Sequence, residues 1–150
     1  MSVDFKRLLS VPLDSVKRPP AMPEGTYYGT IVSHKYAESR WADKETGEKE
    51  PQAEFSVRLT GHGEDVDPAD YVESSAQGKI ITRAYGLDKD VWKLKTFLES
   101  LGIATSGKTL DAAIPETTGM QVMCFITRRA DKNDAERIFN DCKSLRALAA

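Results

Sequence analysis

One amphipathic segment constrains the fold of this chain more than any other. Residues 88–101 read DKDVWKLKTFLESL, and the charged side chains leave one apolar face. The apolar residues at helical spacing are Val91, Leu94, Leu98 and Leu101. Asp88 is placed to cap the first turn, and Gly102 is placed to end the helix in a left-handed conformation. Because three strand-like runs precede this helix and two come after it, few mainly β topologies fit.

Five runs rich in β-branched and aromatic residues predict strands at 25–36, 52–60, 79–85, 120–129 and 137–143. The second run alternates strictly, with Ala53, Phe55, Val57 and Leu59 on one face. A strand with one buried face and one solvent-exposed face is typical of an antiparallel sheet. Gly29 predicts a bulge or bend in the first strand. Polar loops are predicted at 38–51 and 61–78, a turn or two of helix at 3–10, and a short helix at 110–114 that Pro115 stops.

The order of strand, strand, strand, helix, strand, strand is that of the OB-fold, a five-stranded Greek-key barrel. We therefore predict a mainly β, OB-like barrel over residues 25–150. Residues 1–24 are predicted to form an extended arm, because four prolines fix its backbone and remove hydrogen-bond donors. Three interpretations of the arm are open: packing over the barrel, contact with a neighbouring subunit as in a homo-oligomer, or a partly ordered leader.

Composition excludes several classes of protein. No apolar run approaches the roughly 20 residues that span a bilayer, and the first residues lack the apolar core of a secretion signal. We expect no membrane association and a reduced, cytoplasmic protein, since Cys124 and Cys142 are the only cysteines. The net charge is −2, and residues 38–73 hold eleven acidic but only four basic side chains. A basic surface elsewhere, or ordinary solvated charge, is compatible with this distribution.

Residues 102–109, GIATSGKT, match the phosphate-binding pattern G-x-x-x-x-G-K-[ST]. That chemistry requires a strand before the loop and a substantial helix after it. Here the predicted helix precedes the loop, and Pro115 interrupts the short helical segment on its other side. Gly102 is better explained as a helix terminus, so nucleotide hydrolysis is not expected.

No other arrangement indicates catalysis. His34 and His62 lack zinc-site spacing, and residues 64–70 lack the glycine and the final glutamate of a calcium loop. Cys124 and Cys142 lie opposite each other if the last two strands form a hairpin centred near residue 133. Two interpretations follow. The cysteines are a redox pair or half a metal site, or they are small core residues, as free cysteines commonly are. We therefore predict a non-enzymatic protein without catalytic residues, metal or other cofactor.

The remaining pattern is basic residues interleaved with aromatic ones. Strands two and three of an OB-fold, with the loops after strands one and four, form its ligand groove. Cations along the backbone and rings under the bases hold single-stranded nucleic acid there. The predicted nucleic-acid-binding residues are Lys35, Tyr36, Arg40, Trp41, Lys44, Arg58, Lys79, Arg83, Arg128, Arg129 and Lys132. Simpler roles are open for the aromatic residues: Tyr36 and Tyr85 are compatible with simple packing, and Trp92 and Phe97 with covering the barrel from the helix. The acidic residues around the first loop also oppose phosphate binding.

The segments PAMPEGTYYGTIVSHKY, AEFSVRLT and VWKLKTFLESLGI resemble a group of small bacteriophage proteins. The resemblance spans about residues 17–143, and its motifs are mostly structural. The matching residues are Pro23, Gly25, Tyr27, Trp92, Leu94, Phe97, Leu98, Leu101 and Gly102. The resemblance implies an OB-fold single-stranded-DNA-binding protein of phage replication and recombination. Many such proteins end in an acidic tail, whereas this chain has no acid after Asp141.

The sequence therefore predicts a single-stranded-DNA-binding protein whose binding is largely independent of base sequence and weakened by salt. The alternative is a protein-interaction or virion module built on the same barrel, with the arm tying subunits together, since one fold serves many functions.

Overall fold

The computed structural model describes residues 3–13, 20–42, 47–130, 133 and 138–147. Its five strands are β1 (Gly25–Ala42), β2 (Lys49–His62), β3 (Ile80–Gly86), β4 (Gln121–Ala130) and β5 (Ile138–Ala147). Its α-helices are α1 (Phe5–Leu9), α2 (Pro68–Glu73), α3 (Val91–Ser100) and α4 (Leu110–Ala113), and a 3-10 turn (Ile114–Thr117) follows α4. None of the helices in these ranges is long and apolar enough to cross a bilayer.

The strands form one antiparallel sheet in the order β3-β2-β1-β4-β5. The predictions of a mainly β fold, five strands and a helix between the third and fourth are confirmed. The closed barrel is not: within the described ranges no ladder joins the edge strands β3 and β5. These edges approach each other where Tyr85 and Leu145 line the same small cleft, and they diverge toward the other end of β3.

The prediction of a polar loop over 38–51 is wrong. β1 extends to Ala42 and β2 begins at Lys49, and these two residues are paired. The distal part of this hairpin leaves the core, so both of its faces carry polar side chains and its composition resembles that of a loop. Gly29 is confirmed as the site of a bulge. A Cβ atom there would lie 2.6 Å from the Val57 side chain and 2.7 Å from the Arg58 carbonyl oxygen, so only glycine fits.

The central helix is shorter than predicted. It begins at Val91 after Asp90, which is left-handed, so Asp88 does not cap it. Gly102 ends it as predicted, with φ of +82° and its N–H donating to the Glu99 carbonyl at 2.9 Å. Phe97 covers the sheet as expected, stacked on Tyr85 with 5.0 Å between ring centroids. Trp92 does not, because it lies on the opposite side of α3 and is 62% exposed.

Two short helical elements differ from the sequence prediction. The acidic loop contains α2, which Asp67 caps by accepting a 2.8 Å hydrogen bond from the Ala69 N–H, with Pro68 in the first turn. The DPADYVE pattern carries this start signal. The second predicted helix is confirmed within one residue, since α4 ends at Ala113 before Pro115; the difference is that a 3-10 segment follows, with Pro115 in its first turn, where the missing N–H is not needed.

The end of the predicted arm packs on the sheet. Met22 is fully buried, and its N–H donates to Asn140 Oδ1 at 2.9 Å. The Tyr27 hydroxyl donates to the Pro23 carbonyl at 2.6 Å, and burial raises the pKa of Tyr27 to about 12. The helix α1, confirmed as predicted, is different: none of its residues is buried. The part of the arm over 14–19 lies outside the described residues.

Candidate nucleic-acid interface

The ladder register divides the predicted binding residues between the two faces of the sheet. Core residues such as Tyr27, Phe55 and Cys124 mark the inner face. Directly paired residues on antiparallel strands share a face, and neighbours along one strand alternate. Each predicted residue can therefore be assigned to a face from its partner, and this assignment decides which of them a single strand lying on the outer surface would contact.

The β1–β2 hairpin carries Lys35 and Tyr36. Lys35 is exposed on the outer side, but its Nζ lies 3.3 Å from the Glu54 carboxylate, which neutralises much of its field. Tyr36 is 52% exposed and contacts His34 edge-on, with 5.7 Å between ring centroids. Tyr36 pairs with the buried Ala53 and so lies on the opposite side of the hairpin from Lys35, which means that this ring and this cation do not share one surface.

The adjoining strands contribute one cation to the outer face and direct another inward. Arg58 is exposed on the outer face of β2, and Lys79 is exposed just before β3. Arg83 pairs with Phe55 and so faces inward, with its guanidinium carbon 4.8 Å from the centroid of the Tyr85 ring. Tyr85 is buried, and burial raises the pKa of its hydroxyl. Neither Arg83 nor Tyr85 belongs to an outer binding surface.

Adjacent arginines in β4 have different environments. Arg128 donates from Nε to the Met22 carbonyl at 2.9 Å and from Nη2 to the Ala21 carbonyl at 3.0 Å. It therefore anchors the arm. Arg129 lies on the outer side, donates from Nε to Asp141 Oδ2 at 2.9 Å and sits 5.1 Å from the centroid of Phe139. Of the two arginines only Arg129 faces outward, and an external anion would have to compete with its ion pair to Asp141.

Four predicted residues fall partly or wholly outside the described part of the chain. Arg40 and Trp41 lie in β1, where the structure describes their backbone but not their side chains. Lys44 and Lys132 lie outside the described ranges altogether. Their proposed contacts stay predictions.

The outer surface of β1, β4 and β5 brings together residues that the sequence prediction mostly missed. We call this surface the aromatic face. Its residues are Tyr28, Met123, Phe125, Arg129, Phe139 and Arg146. Tyr28 pairs with Met123, which in turn pairs with Arg146, while Phe125 lies between Thr26 and Ser144. Same-face neighbours along a strand are spaced by roughly 6.5–7 Å.

Phe125 is the central feature of the aromatic face. Its side chain is 45% exposed, although its neighbours in the middle of β4, Cys124 and Ile126, are fully buried. Beside it is a cavity of about 240 Å³, lined in part by Thr26, Ser144 and Arg146. Within the described residues Arg146 forms no ion pair. An exposed ring, an uncompensated cation and hydroxyl groups thus surround one shallow depression.

The sequence contained a signal for this surface. Alternation in β4 puts Val122, Cys124 and Ile126 on one side and Met123 and Phe125 on the other. If the first side is buried, Phe125 is a large apolar residue on a solvent-exposed face, and such a residue often marks a binding surface. Phe139 and Arg146 were harder to find, because a register shift between Phe125 and Ile126 sets their placement. A bulge in a strand reverses which residues face outward.

The phosphate-loop pattern at 102–109 has the context expected of a chance match. It follows α3 directly, and the helix after it has four residues. Lys108 donates from Nζ to Glu116 Oε2 at 2.7 Å. The side chain that would meet phosphates in such a loop is therefore engaged by a carboxylate.

Comparison with models of known protein families finds no match to this chain, and neither does comparison with curated proteins.

Proposed function

We propose that this protein binds single-stranded DNA on the aromatic face, largely independently of base sequence. The observation that carries the proposal is Phe125, whose exposed ring lies mid-strand beside a depression lined by Arg146 and hydroxyl groups. Every base presents a π-face, so an exposed ring on a sheet binds bases without selecting among them.

Ring spacing and charge support the same ligand. Tyr28, Phe125 and Phe139 lie on neighbouring strands of one surface, where an extended strand of nucleotides would contact several rings in turn. Arg146 and Arg129 flank these rings, and Arg58 extends the outer face across β1, paired with Thr30. Because the net charge is only −2, a local basic surface is compatible with the acidic composition of residues 38–73.

The wider context of the proposal rests on topology and resemblance. The strand order and the position of α3 support an OB-like barrel that is open between β3 and β5. The resemblance to phage proteins supports a role in phage DNA replication or recombination, in the cytoplasm of the host cell. No enzymatic step is part of the proposed function.

Fluorescence anisotropy of a labelled thirty-residue oligothymidine, titrated with protein across a salt series, tests the proposal. We expect binding that weakens as salt rises, because cations on the protein displace counterions from phosphates. A duplex of the same length should bind more weakly, because its bases are not free to stack on protein rings. The protein variants are Phe125→Ala and, as a matched control, Trp92→Ala, which removes an exposed ring from α3.

The outcomes separate the surface from the function. If Phe125→Ala weakens binding and Trp92→Ala does not, the aromatic face is the binding surface. If Trp41→Ala or Tyr36→Ala abolishes binding and Phe125→Ala has no effect, the protein binds DNA through the β1–β2 hairpin. No binding to the single strand at low salt contradicts the proposed function.

The alternative function, a protein-interaction module, is favoured by α1. Phe5, Leu8 and Leu9 are all exposed on this short helix, and Leu13 beyond it is 85% exposed. Such a surface suits association with a second copy of the chain. Solution mass with and without residues 1–13 tests this, since that truncation spares the buried Met22. An unchanged mass would contradict a role for the arm in assembly.

A further inference from the structure

A groove lies between the two edge strands of the sheet. It has a volume of about 770 Å³, within the range of small-molecule sites, and lies between β3 and β5 with the end of the arm along it. Two cations, Arg83 and Lys79, line it together with Cys142 and one carboxylate, that of Asp141. The groove is thus open to a ligand of metabolite size, and its cations outnumber its acids.

Cys142 has a second cysteine beside it. It pairs with Ile126, and Cys124 precedes Ile126 by two residues on the same inner face, so the two cysteines are diagonal neighbours across the ladder. Both are free thiols: Cys124 is fully buried, whereas Cys142 is partly exposed at the groove. The Cys142 thiol donates a hydrogen bond of 3.4 Å to the Ser144 carbonyl.

The surroundings make the two thiols chemically unequal. Interaction with the Cys124 thiol lowers the pKa of Cys142 although burial opposes this, and the Arg83 cation adds to the lowering. The same interaction between the thiols, together with burial, raises the pKa of Cys124. The thiolate is the nucleophilic form of cysteine. Cys142 is therefore both the accessible and the more reactive of the two.

We propose that Cys142 is a modification site for anionic low-molecular-weight disulfides entering the β3–β5 groove, with Cys124 as its resolving thiol. The Cys142 thiolate attacks one sulfur of glutathione disulfide, forming a mixed disulfide and releasing one glutathione thiolate. Cys124, deprotonated, then attacks Cys142 Sγ and displaces the second glutathione. In sum, two protein thiols are oxidised to one disulfide while one glutathione disulfide is reduced to two glutathione molecules.

The second step follows from the first. Once Cys142 is part of a mixed disulfide, its sulfur no longer carries the charge that holds the Cys124 proton, so the largest cause of the raised pKa of Cys124 is removed. The two cysteines are diagonal neighbours on one face of the same ladder, so a local shift of β5 beside its bulge brings the sulfur atoms together without separating the strands. Arg83 and Lys79 attract the carboxylates of glutathione disulfide. A neutral disulfide has no carboxylates, so these cations do not attract it.

Intact-mass measurement after reaction with glutathione disulfide and acid quenching tests the proposal. We expect wild-type protein to lose two hydrogens, Cys124→Ser to gain one glutathionyl group and Cys142→Ser to gain none. In the Cys124→Ser background, Arg83→Gln should slow the reaction about threefold to tenfold with glutathione disulfide, but not with neutral hydroxyethyl disulfide. Arg83→Lys is the charge-preserving control.

Several results would overturn the proposal. Modification of Cys142→Ser as fast as Cys124→Ser would remove the assignment of the nucleophile. Stable glutathionylation of the wild-type protein without closure would remove the resolving role of Cys124. If a variant does not fold, peptide mapping of oxidised wild-type protein decides the matter, because the proposal requires a Cys124–Cys142 cross-linked peptide. The outcome is independent of whether the protein binds DNA.

Discussion

The two long hairpins of this protein, β1–β2 and β4–β5, are similar in sequence character but differ in what they expose. Both carry basic residues near aromatic ones. In β1–β2, Lys35 is paired with Glu54, and Glu38 and Glu48 are exposed nearby. In β4–β5, Asp141 is the one acidic residue within the strands, while Phe125 and Arg146 are exposed on one face. Interleaved rings and cations therefore indicate a binding surface only when the register puts them on one side.

The comparison is tested most strongly by removing one ring from each hairpin. Phe125→Ala should weaken binding of oligothymidine by about fivefold to 150-fold, because stacking of one base is worth about 1–3 kcal/mol. Tyr36→Ala should change the affinity by less than about threefold. Titration by anisotropy at one fixed salt concentration measures both, with thermal unfolding as a control for folding. A larger loss for Tyr36→Ala would reverse the assignment of the two hairpins.

The next test separates the adjacent arginines of β4. Arg128→Ala should cost about 1–3 kcal/mol of unfolding free energy, because the Ala21 carbonyl loses its Arg128 donor and the Met22 carbonyl keeps only the donor from Asn140 Nδ2. Arg129→Ala removes an exposed ion pair and should cost less than about 1 kcal/mol. Urea unfolding measures both. Equal losses of stability would show that the arm is not held as the structure indicates.

These arginines also show what sequence alone can determine. Alternation at Ala53, Phe55, Val57 and Leu59 identified β2 and its buried face, and the spacing in 91–101 identified α3. Both patterns are local, so no knowledge of partner strands was needed. The different roles of Arg128 and Arg129 depend on Asn140 and Met22, which are distant in sequence.

The predicted binding residues are divided between the two faces for a physical reason. The predicted groove was selected by strand number on an OB-fold, but an element order does not give the register. The bulge at Gly29 and the shift after Phe125 determine which side chains face outward. The hairpin extension to Ala42 was missed because polar side chains on two wet faces leave no apolar alternation to detect.

A smaller effect distinguishes the cations of the two hairpins. Arg146→Gln should lower the slope of log affinity against log salt by about 0.7, the contribution of one phosphate contact on a single strand. Its affinity loss should be several-fold at low salt. Anisotropy titrations at four or more salt concentrations measure the slope. An unchanged slope would indicate that Arg146 does not meet the phosphate backbone.

The smallest expected effect is that of Lys35→Gln. Its ammonium group lies 3.3 Å from Glu54 on an exposed surface, so a phosphate would have to compete with an existing carboxylate. We therefore expect less than a twofold change in affinity and no change in the salt slope. Glu54→Gln is the matched variant, because it frees Lys35 without removing it. If the β1–β2 hairpin does lie against DNA, Glu54→Gln will tighten binding and steepen the salt slope, and Lys35→Gln will do the opposite. If both variants bind DNA with the affinity and salt slope of the wild-type protein, the phosphate contacts are confined to the aromatic face and the outer surface around Arg58.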